Sequence, residues 1–324
     1  MFDSTTMATA AETAPFRSRR RRRLGERVAR GSTPYLLIAP VIVTIGAVLG
    51  YPLYWLVRLS LEEYGLTQLI QHAGPYIGFA NYRAILHDPV FWHTLYRTVV
   101  FTVANVVLTI VLGMLIALLL VRVSAFVRIL LTSGLVLVWS MPVVVAVEIW
   151  YWMTNYENGV LNYVLTKLHV GNYFEHNWYA TTFSQLSLVT ALIVWGALPF
   201  VVITLYAGLA QVPKDLVEAA EVDGAHSWRV FFDITLPILR PILLILTSLS
   251  IIWDFGVFTQ PYLLIGQSSI GPGNELMSIY LFEQGYFQDN FGEGAAISIL
   301  MLLIVAVLSV LYVRRMVRIG TATA

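Results

Sequence analysis

Six long apolar runs recur along the chain and constrain its fold more than any other feature. Each is near or above the ~20 residues that a helix needs to cross a bilayer. Because a backbone inside lipid must satisfy its own hydrogen bonds, such runs predict helices. The sequence therefore predicts an all-α integral membrane protein with six transmembrane helices. The runs are Tyr35 to Val57, Thr98 to Val121, Ile129 to Trp152, Leu186 to Ala210, Ile238 to Ile265 and Ala295 to Val313.

The composition and the six apolar runs together exclude an ordinary cytosolic enzyme. Only 12% of the residues are charged and 58% are hydrophobic, whereas charged residues make up roughly 25% of an average soluble domain. The segments between the runs are too short for a separate soluble catalytic domain. Cysteine is absent, so disulfides, thiolate metal sites and cysteine nucleophiles are excluded together.

The basic residues are distributed asymmetrically. Eight arginines precede the first run, and with the N-terminus inside, sixteen of the twenty Lys and Arg residues fall in cytoplasmic segments. An arginine cluster could be a nucleic-acid arm, but directly before a membrane span it favours a topology signal and no nucleic-acid partner. We expect residues 1–33 to form a cytoplasmic tail, 34–313 the membrane domain and 314–324 a second cytoplasmic tail.

The inner loop between the fourth and fifth runs carries the most information. Pro213 fits a first helical position, and the good helix formers that follow end at Gly224, a typical C-terminal stop. We expect Ser227 to cap a second short helix and Pro237 to begin the fifth span. The loop reads QVPKDLVEAAEVDGAHSWRVFFDITLP, residues 211–237.

The spacing within this loop resembles the EAA loop of permease subunits in binding-protein-dependent ABC importers. The pattern is Glu218-Ala219-Ala220, three residues, Gly224, nine residues, then Ile234-x-Leu236-Pro237. Seven fixed residues at average usage would match by chance on the order of once in a hundred million positions. The alternative is an amphipathic linker without a docking function.

The resemblance implies a type I ABC importer permease fold with a cytoplasmic coupling helix in this loop. In that family a cleft on the ATPase subunit receives the helix, and motion of the ATPase passes to the fifth span as a rigid-body shift. Small alanines allow close approach, Glu218 can pair with a donor on the partner, and Gly224 allows a sharp turn. The residues to which the resemblance assigns this role are Glu218, Ala219, Ala220, Asp223, Gly224, Leu236 and Pro237.

A second pattern lies in the first outer loop and resembles the entry to the second span of carbohydrate importer permeases. Together the two patterns imply the maltose-type carbohydrate branch, in a compact six-span form without a large inserted outer domain. The pattern comprises Gly78, Asn81, Tyr82, Asp88, Phe91, Trp92 and Thr98.

The same resemblance implies the partners and the location. These are a second homologous permease, two ATPase subunits, an extracytoplasmic solute-binding protein, a sugar and the lipid of a bacterial plasma membrane, with both termini cytoplasmic. ATP and Mg would be bound by the ATPase, and this chain would need no cofactor. It would alternate between outward-open and inward-open states as ATP is bound and hydrolysed.

No catalytic or metal site is expected in this chain. There is no G-x-x-x-x-G-K-[ST] sequence for nucleotide phosphates, and no arrangement of Ser, His and Asp suggests a hydrolase. The histidines show no metal-ligand spacing and fit loop or interface positions. They are His72, His87, His93, His169, His176 and His226.

Two carboxylates lie inside the runs, where an ionisable group usually faces a cavity or a partner. Glu148 lies near the outer end of the third run, beside aromatic residues that could equally form an interfacial belt. Asp254 lies about 16 residues from the inner end of the fifth run, roughly 24 Å of helix rise, which predicts the outer half of the membrane.

Aromatic side chains near Asp254 and in the fourth run suit a sugar, because aromatic faces stack on the apolar face of a pyranose ring. Their alternative role is helix packing beside a Gly/Pro kink. In position relative to the EAA loop they resemble the sugar-contacting stretches of maltose-type permeases. The predicted substrate pathway comprises Trp195, Phe200, Trp253, Asp254, Phe255 and Glu148.

Two other functions remain open at the level of sequence. A permease of the same machinery for another solute, such as glycerol phosphate, should have clustered cations in the pore, and the spans offer none. An ion-driven secondary transporter should show repeated halves with broken helices, and no such halves are evident.

Overall fold

The computed structural model describes residues 17–266 and 273–322, with side chains for 37–266 and 273–315. The chain divides into two compact units, residues 1–55 and 56–324. The first unit contains most of the first helix, and all contacts discussed below lie within the second. The first sixteen residues of the predicted N-terminal tail and the last two of the C-terminal tail lie outside the described residues.

The helices account for all regular secondary structure among the described residues. These residues also form two isolated β-bridges but no strand, which confirms the all-α prediction. In chain order the helices, with two π-helical turns, are α1 Arg17–Ser60, α2 Leu66–Gln71, α3 Ala80–His87, α4 Pro89–Arg122, α5 Ala125–Trp139, α6 Val143–Met153, α7 Val160–Lys167, α8 Thr182–Leu209, α9 Lys214–Val222, α10 Ser227–Val230, a π turn at Phe231–Thr235, α11 Leu236–Phe255, α12 Thr259–Gly266, α13 Met277–Phe282, a π turn at Glu283–Phe287, and α14 Phe291–Ala322.

Five of the six apolar runs correspond to helices long enough to cross a membrane. The remaining one, the third run, corresponds to a bent pair of helices. Counting that pair as one span gives the predicted total of six. The five long segments are Leu37–Ser60, Pro89–Arg122, Thr182–Leu209, Ser227–Phe255 and Phe291–Arg315.

The third run is not the single helix that its hydropathy predicts. Helix α5 ends at Trp139, α6 begins at Val143, and the two axes are bent by 101°. Pro142 causes the break, because its ring fixes φ, here −57°, and removes a backbone donor. It also disfavours helical geometry at Met141. The predicted span from Ile129 to Trp152 is therefore formed by two helices with a bend between them.

The fifth span begins earlier than predicted. Helix α10, the first π turn and α11 form one continuous helix, Ser227–Phe255, so Pro237 does not begin the span. Ser227 is the first helical residue, and His226 occupies the N-cap position. In the π turn the Leu236 amide bonds the Phe231 carbonyl, five residues back. This wider turn accommodates the ring of Pro237, which would otherwise strain the preceding turn.

The outer end of the fifth run also differs from the prediction. The helix ends at Phe255 and Gly256, and the remaining apolar residues form the separate helix α12, Thr259–Gly266. Pro261 lies in the first turn of α12, where its missing amide costs no hydrogen bond. Hydropathy alone could not distinguish a long span from a shorter span followed by a second apolar helix.

Helices α4, α8 and α11 form the packed centre of the second unit. Near their inner halves, Met114 and Ala117 of α4, Val201 and Leu205 of α8, and Leu239 and Leu246 of α11 are buried together. A methyl group built on Gly113 would lie 2.6 Å from the Cγ1 atom of Val201. The close approach of α4 to α8 therefore depends on the absence of a side chain at Gly113.

The first outer loop is fixed by the residues of the second sequence pattern. The buried Asn81 amide donates to the carbonyls of Ser60 and Glu62, both at 3.0 Å. The Tyr82 hydroxyl donates to the Ser60 hydroxyl at 2.7 Å. These bonds hold α3 against the end of α1, so the Asn-Tyr pair of the pattern has a structural role.

Two further residues of that pattern hold the last outer loop. Asp88 caps α4 by accepting from the Val90 amide at 2.9 Å, and it also accepts from the Tyr280 hydroxyl at 3.0 Å. The Thr98 hydroxyl accepts from the Met277 amide at 2.9 Å. Helix α13 is thereby tied to the outer part of α4.

We expect Gly113→Ala to destabilise the protein, because the new methyl group must displace Val201 in a packed interface. Overpacking of this kind costs about 1 to 3 kcal/mol. The matched control is Gly196→Ala in α8, where a methyl group meets nothing within 4 Å and only helix propensity changes. Thermal unfolding of the solubilised permease measures both. Equal midpoints for the two variants would contradict close packing at Gly113.

Candidate coupling helix and translocation pathway

Helix α9 is the short loop helix that the sequence predicts, and it projects from the rest of the second unit. None of its residues is buried, and the apolar side chains of Leu216 and Val222 are 50% and 87% exposed. Ala219 is exposed between them. Pro213 occupies the N-cap position, whereas the sequence predicts it at the first helical position, so the helix begins one residue later than predicted. An exposed helix face with apolar and small residues is suited to a docking partner.

The helix ends in a Schellman turn centred on Gly224. The Ala225 amide donates to the Ala220 carbonyl at 2.9 Å, and the Gly224 amide donates to the Glu221 carbonyl at 3.0 Å. Gly224 has φ +81°, and a methyl group built on it meets nothing within 4 Å. Glycine is therefore needed for the backbone conformation, as the predicted sharp turn requires, and not for lack of space.

The turn leads directly into the membrane helix. Only Ala225 and His226 separate Gly224 from the helix Ser227–Phe255. Leu236 and Pro237 of the sequence pattern lie at the junction between the first π turn and α11. The turn and the span are thus joined by two residues, which leaves little chain to absorb a displacement of α9.

A cavity of about 980 Å³ lies between α9 and the inner ends of α4, α8 and α11. Glu218 lines this cavity with Trp228 and Tyr206, so the Glu of the EAA tripeptide lies on the cavity side of α9. Arg128 closes the short inner loop by donating to the Leu120 carbonyl at 2.9 Å. Its guanidinium also lies 5.4 Å from the centre of the Tyr206 ring, within the range of a cation–π contact.

Aromatic rings from three helices meet on the membrane part of the second unit. Phe200 of α8 lies 6.3 Å from Trp139 of α5, with nearly parallel rings, and 5.8 Å from Trp253 of α11. Trp139 and Trp253 are 62% and 54% exposed. We call Trp139, Phe200 and Trp253 the aromatic platform. The sequence reasoning found two of its members and missed Trp139, whose signal was its position just before the break at Pro142.

Trp195 does not join the aromatic platform. It precedes Phe200 by five positions in the sequence, which places the two side chains about 140° apart around α8. Trp195 lies 6.1 Å from the Trp150 ring and lines a cavity of about 830 Å³ between α4 and α8. That cavity is mainly apolar, with the polar groups His93 and Arg97 near its outer end.

The remaining predicted pathway residues have different surroundings. Asp254 is buried beside Trp253, and its carboxyl group has no hydrogen-bond or ion-pair partner among the described residues. Phe255 is buried among residues of α4, α13 and α14. Glu148 is exposed on α6. The structure thus brings together two of the six predicted residues, Phe200 and Trp253.

A polar cluster lies at the outer ends of α4 and α8. Arg97 donates to the Glu275 carbonyl at 2.8 Å, and Asn274 donates to the Gln185 side chain. Burial and the hydrogen-bonded carboxyl of Glu275 raise the pKa of Glu283 to about 7. Burial also raises the pKa of Glu275, against the opposing charge of Arg97. The cluster connects the loop before α13 to two spans.

No metal centre is formed by the described side chains: within 37–266 and 273–315, no three His, Asp or Glu side chains converge on a point that could hold an ion. The polar groups of the site are instead arranged singly or in pairs. They can donate and accept hydrogen bonds at the outer end of the pathway.

The relatives that match most of the chain include the following two. The diacetylchitobiose uptake system permease protein DasB of Streptomyces coelicolor is 40% identical over 87% of this chain and 85% of its own length. The trehalose/maltose transport system permease protein MalF of Thermococcus litoralis is 32% identical over 86% of this chain and 92% of its own.

The fold is also similar to a solved structure. A chain of a bacterial alginate ABC transporter, crystallised in complex with an alginate pentasaccharide-bound periplasmic protein, superposes with a TM-score of 0.72 at 18% identity. The match covers 90% of this chain and 96% of that one. At this identity the similarity shows the fold alone.

The family model for the inner membrane component of binding-protein-dependent transport systems matches residues 109–319. This range contains the coupling helix, its Schellman turn and the aromatic platform, and it excludes the first helix. The chain therefore belongs to the family of inner membrane components of binding-protein-dependent transport systems.

Proposed function

We propose that this chain forms half of the translocation pore of an ATP-driven sugar importer. Its partners are a second homologous permease, two ATPase subunits, one of which docks on α9, and an extracytoplasmic binding protein. Both termini lie in the cytoplasm, since that orientation places sixteen of the twenty Lys and Arg residues inside. As a transport subunit it has no enzymatic reaction of its own, and ATP and Mg are bound by the ATPase.

The aromatic platform carries the proposal that the solute is a sugar. The C–H groups of a pyranose face bear partial positive charge, which the negative faces of Trp139, Phe200 and Trp253 attract. Asp254 lies next to Trp253 and keeps an unused carboxyl group for a sugar hydroxyl. The relatives DasB and MalF are named for the transport of diacetylchitobiose and of trehalose and maltose, and these sugars fit this chemistry.

The charge of the spans favours a neutral solute over glycerol phosphate. No Lys or Arg occurs between residues 186 and 210 or between 241 and 313. An anion crossing this pathway would find no cationic group at mid-depth to offset its lost hydration.

The direct experiment reconstitutes the chain with its partner permease, ATPase and binding protein in proteoliposomes. Radiolabelled diacetylchitobiose, maltose and trehalose are offered in turn. We expect uptake of at least one sugar that requires ATP and the binding protein, and no ATP hydrolysis by the permease alone. Uptake driven by an ion gradient without ATP would contradict the proposal.

We expect Gly224→Val to uncouple ATP hydrolysis from uptake. A branched residue at φ +81° costs about 1 to 3 kcal/mol, so the Schellman turn should rearrange and α9 should lose its fixed position. The control is Gly224→Asn, because asparagine tolerates this conformation. The measurement is sugar taken up per ATP hydrolysed by the complex. A normal ratio in the valine variant would remove the turn from the coupling mechanism.

We expect Trp253→Ala to lower uptake per assembled complex, because it removes the most accessible ring of α11 from the platform. The loss should be about three- to tenfold, as for one aromatic contact. The control is Ile252→Ala, an adjacent exposed residue that has no aromatic ring. If Trp253 only packs helices, complex yield will fall while normalised uptake stays unchanged.

A further inference from the structure

A second group of aromatic rings lies at the outer end of the fifth span, apart from the aromatic platform. Phe258 stacks on Tyr262 with centroids 4.8 Å apart, and lies 5.1 Å from Phe282. Phe282 in turn stacks on Tyr286 at 5.2 Å, with the ring planes within 9° of parallel. The rings come from the start of α12, from α13 and from the second π turn.

These rings border a pocket of about 460 Å³, which is within the range of roughly 300 to 1,000 Å³ typical of small-molecule sites. We call it the outer pocket. The Ser278 hydroxyl donates to the Val257 carbonyl, which fixes the start of α13 against the end of α11. The outer pocket is lined by Gly256, Phe258, Phe282, Tyr286, Phe291 and Met301, among others.

The outer pocket lies one turn beyond the aromatic platform on the same helix. Gly256 lines the pocket and follows Trp253 by three residues, so the two positions share a face of the helix end. The rise between them is about 4.5 Å, comparable to the length of one sugar ring. Pocket and platform are therefore successive positions along one side of α11.

We propose that the outer pocket is an entry subsite that binds one pyranose ring of the incoming sugar while the next ring reaches Trp253. This inference rests on the proposed function. Phe282 and Tyr286 offer stacked faces to the apolar side of the ring. The space beside Gly256 is open on this side, because a methyl group built there meets only the Ile252 carbonyl oxygen, at 3.7 Å.

Tyr286 allows a matched test, because Phe287 is its neighbour with nearly equal exposure, 66% against 63%, yet Phe287 does not line the pocket. The variants are Tyr286→Ala, Tyr286→Trp and Phe287→Ala in the full reconstituted complex. The probe is whichever of radiolabelled diacetylchitobiose, maltose or trehalose the wild type imports. Initial uptake per complex and ATPase activity stimulated by the sugar-loaded binding protein are both measured.

For Tyr286→Ala we expect uptake at subsaturating sugar to fall about three- to tenfold, with stimulated ATPase activity retained. Tyr286→Trp should restore uptake, and Phe287→Ala should leave it unchanged. Equal losses in both alanine variants would identify a membrane-interface belt instead. A parallel loss of stimulated ATPase activity would identify a docking surface for the binding protein, and unchanged uptake in Tyr286→Ala would exclude the subsite.

The same experiment separates this inference from the proposed function. If the wild type takes up sugar and the Tyr286→Ala variant takes it up equally well, the entry subsite is overturned and the proposed function stands. A wild-type complex that imports none of the three sugars overturns the proposed function, and the subsite with it.

Discussion

The unbroken helix Ser227–Phe255 is the constraint on which the rest of the arrangement depends. Its 29 residues span roughly 43 Å, from two residues after the Schellman turn to the aromatic platform. A helix transmits displacement along its axis because each turn is hydrogen-bonded to the next. In the proposed mechanism, docking at α9 and contact of the solute with Trp253 would act near the two ends of this one rigid element, so that a rigid-body shift would couple the two sites.

The fold could be predicted where one physical requirement dominates. Crossing lipid demands long apolar helices, so all six runs were recognisable, and Gly224 was identifiable because a positive φ strongly favours glycine. Prolines were harder to interpret. Pro142 lies at a break between two helices, whereas Pro199, Pro237 and Pro241 lie within continuous helices, and only Pro237 follows a π turn in that part of the chain. That difference depends on local geometry which a hydropathy pattern does not encode.

The candidate site was predictable only in part, for a different reason. Residues close in sequence were assumed to share a surface, whereas helix geometry turns Trp195 away from Phe200 and buries Phe255 beside the exposed Trp253. The platform is formed by tertiary contacts between α5, α8 and α11, so Trp139 could not be assigned before the helices were packed. The coupling loop, in contrast, is local in sequence, and its turn was correctly located.

The most direct test of rigid coupling uses the natural absence of cysteine. Single cysteines replace Val222 on α9 and Ile252 on α11, both exposed, and carry spin labels in a complex with intact ATP-dependent uptake. The distance between the labels is measured without nucleotide and in an ATP-trapped state. The rigid account predicts a change below about 2 Å. A change of a full helical turn, about 5 Å, would show that the chain bends between the two labels, at the turn after α9 or at the π turn, and would contradict it.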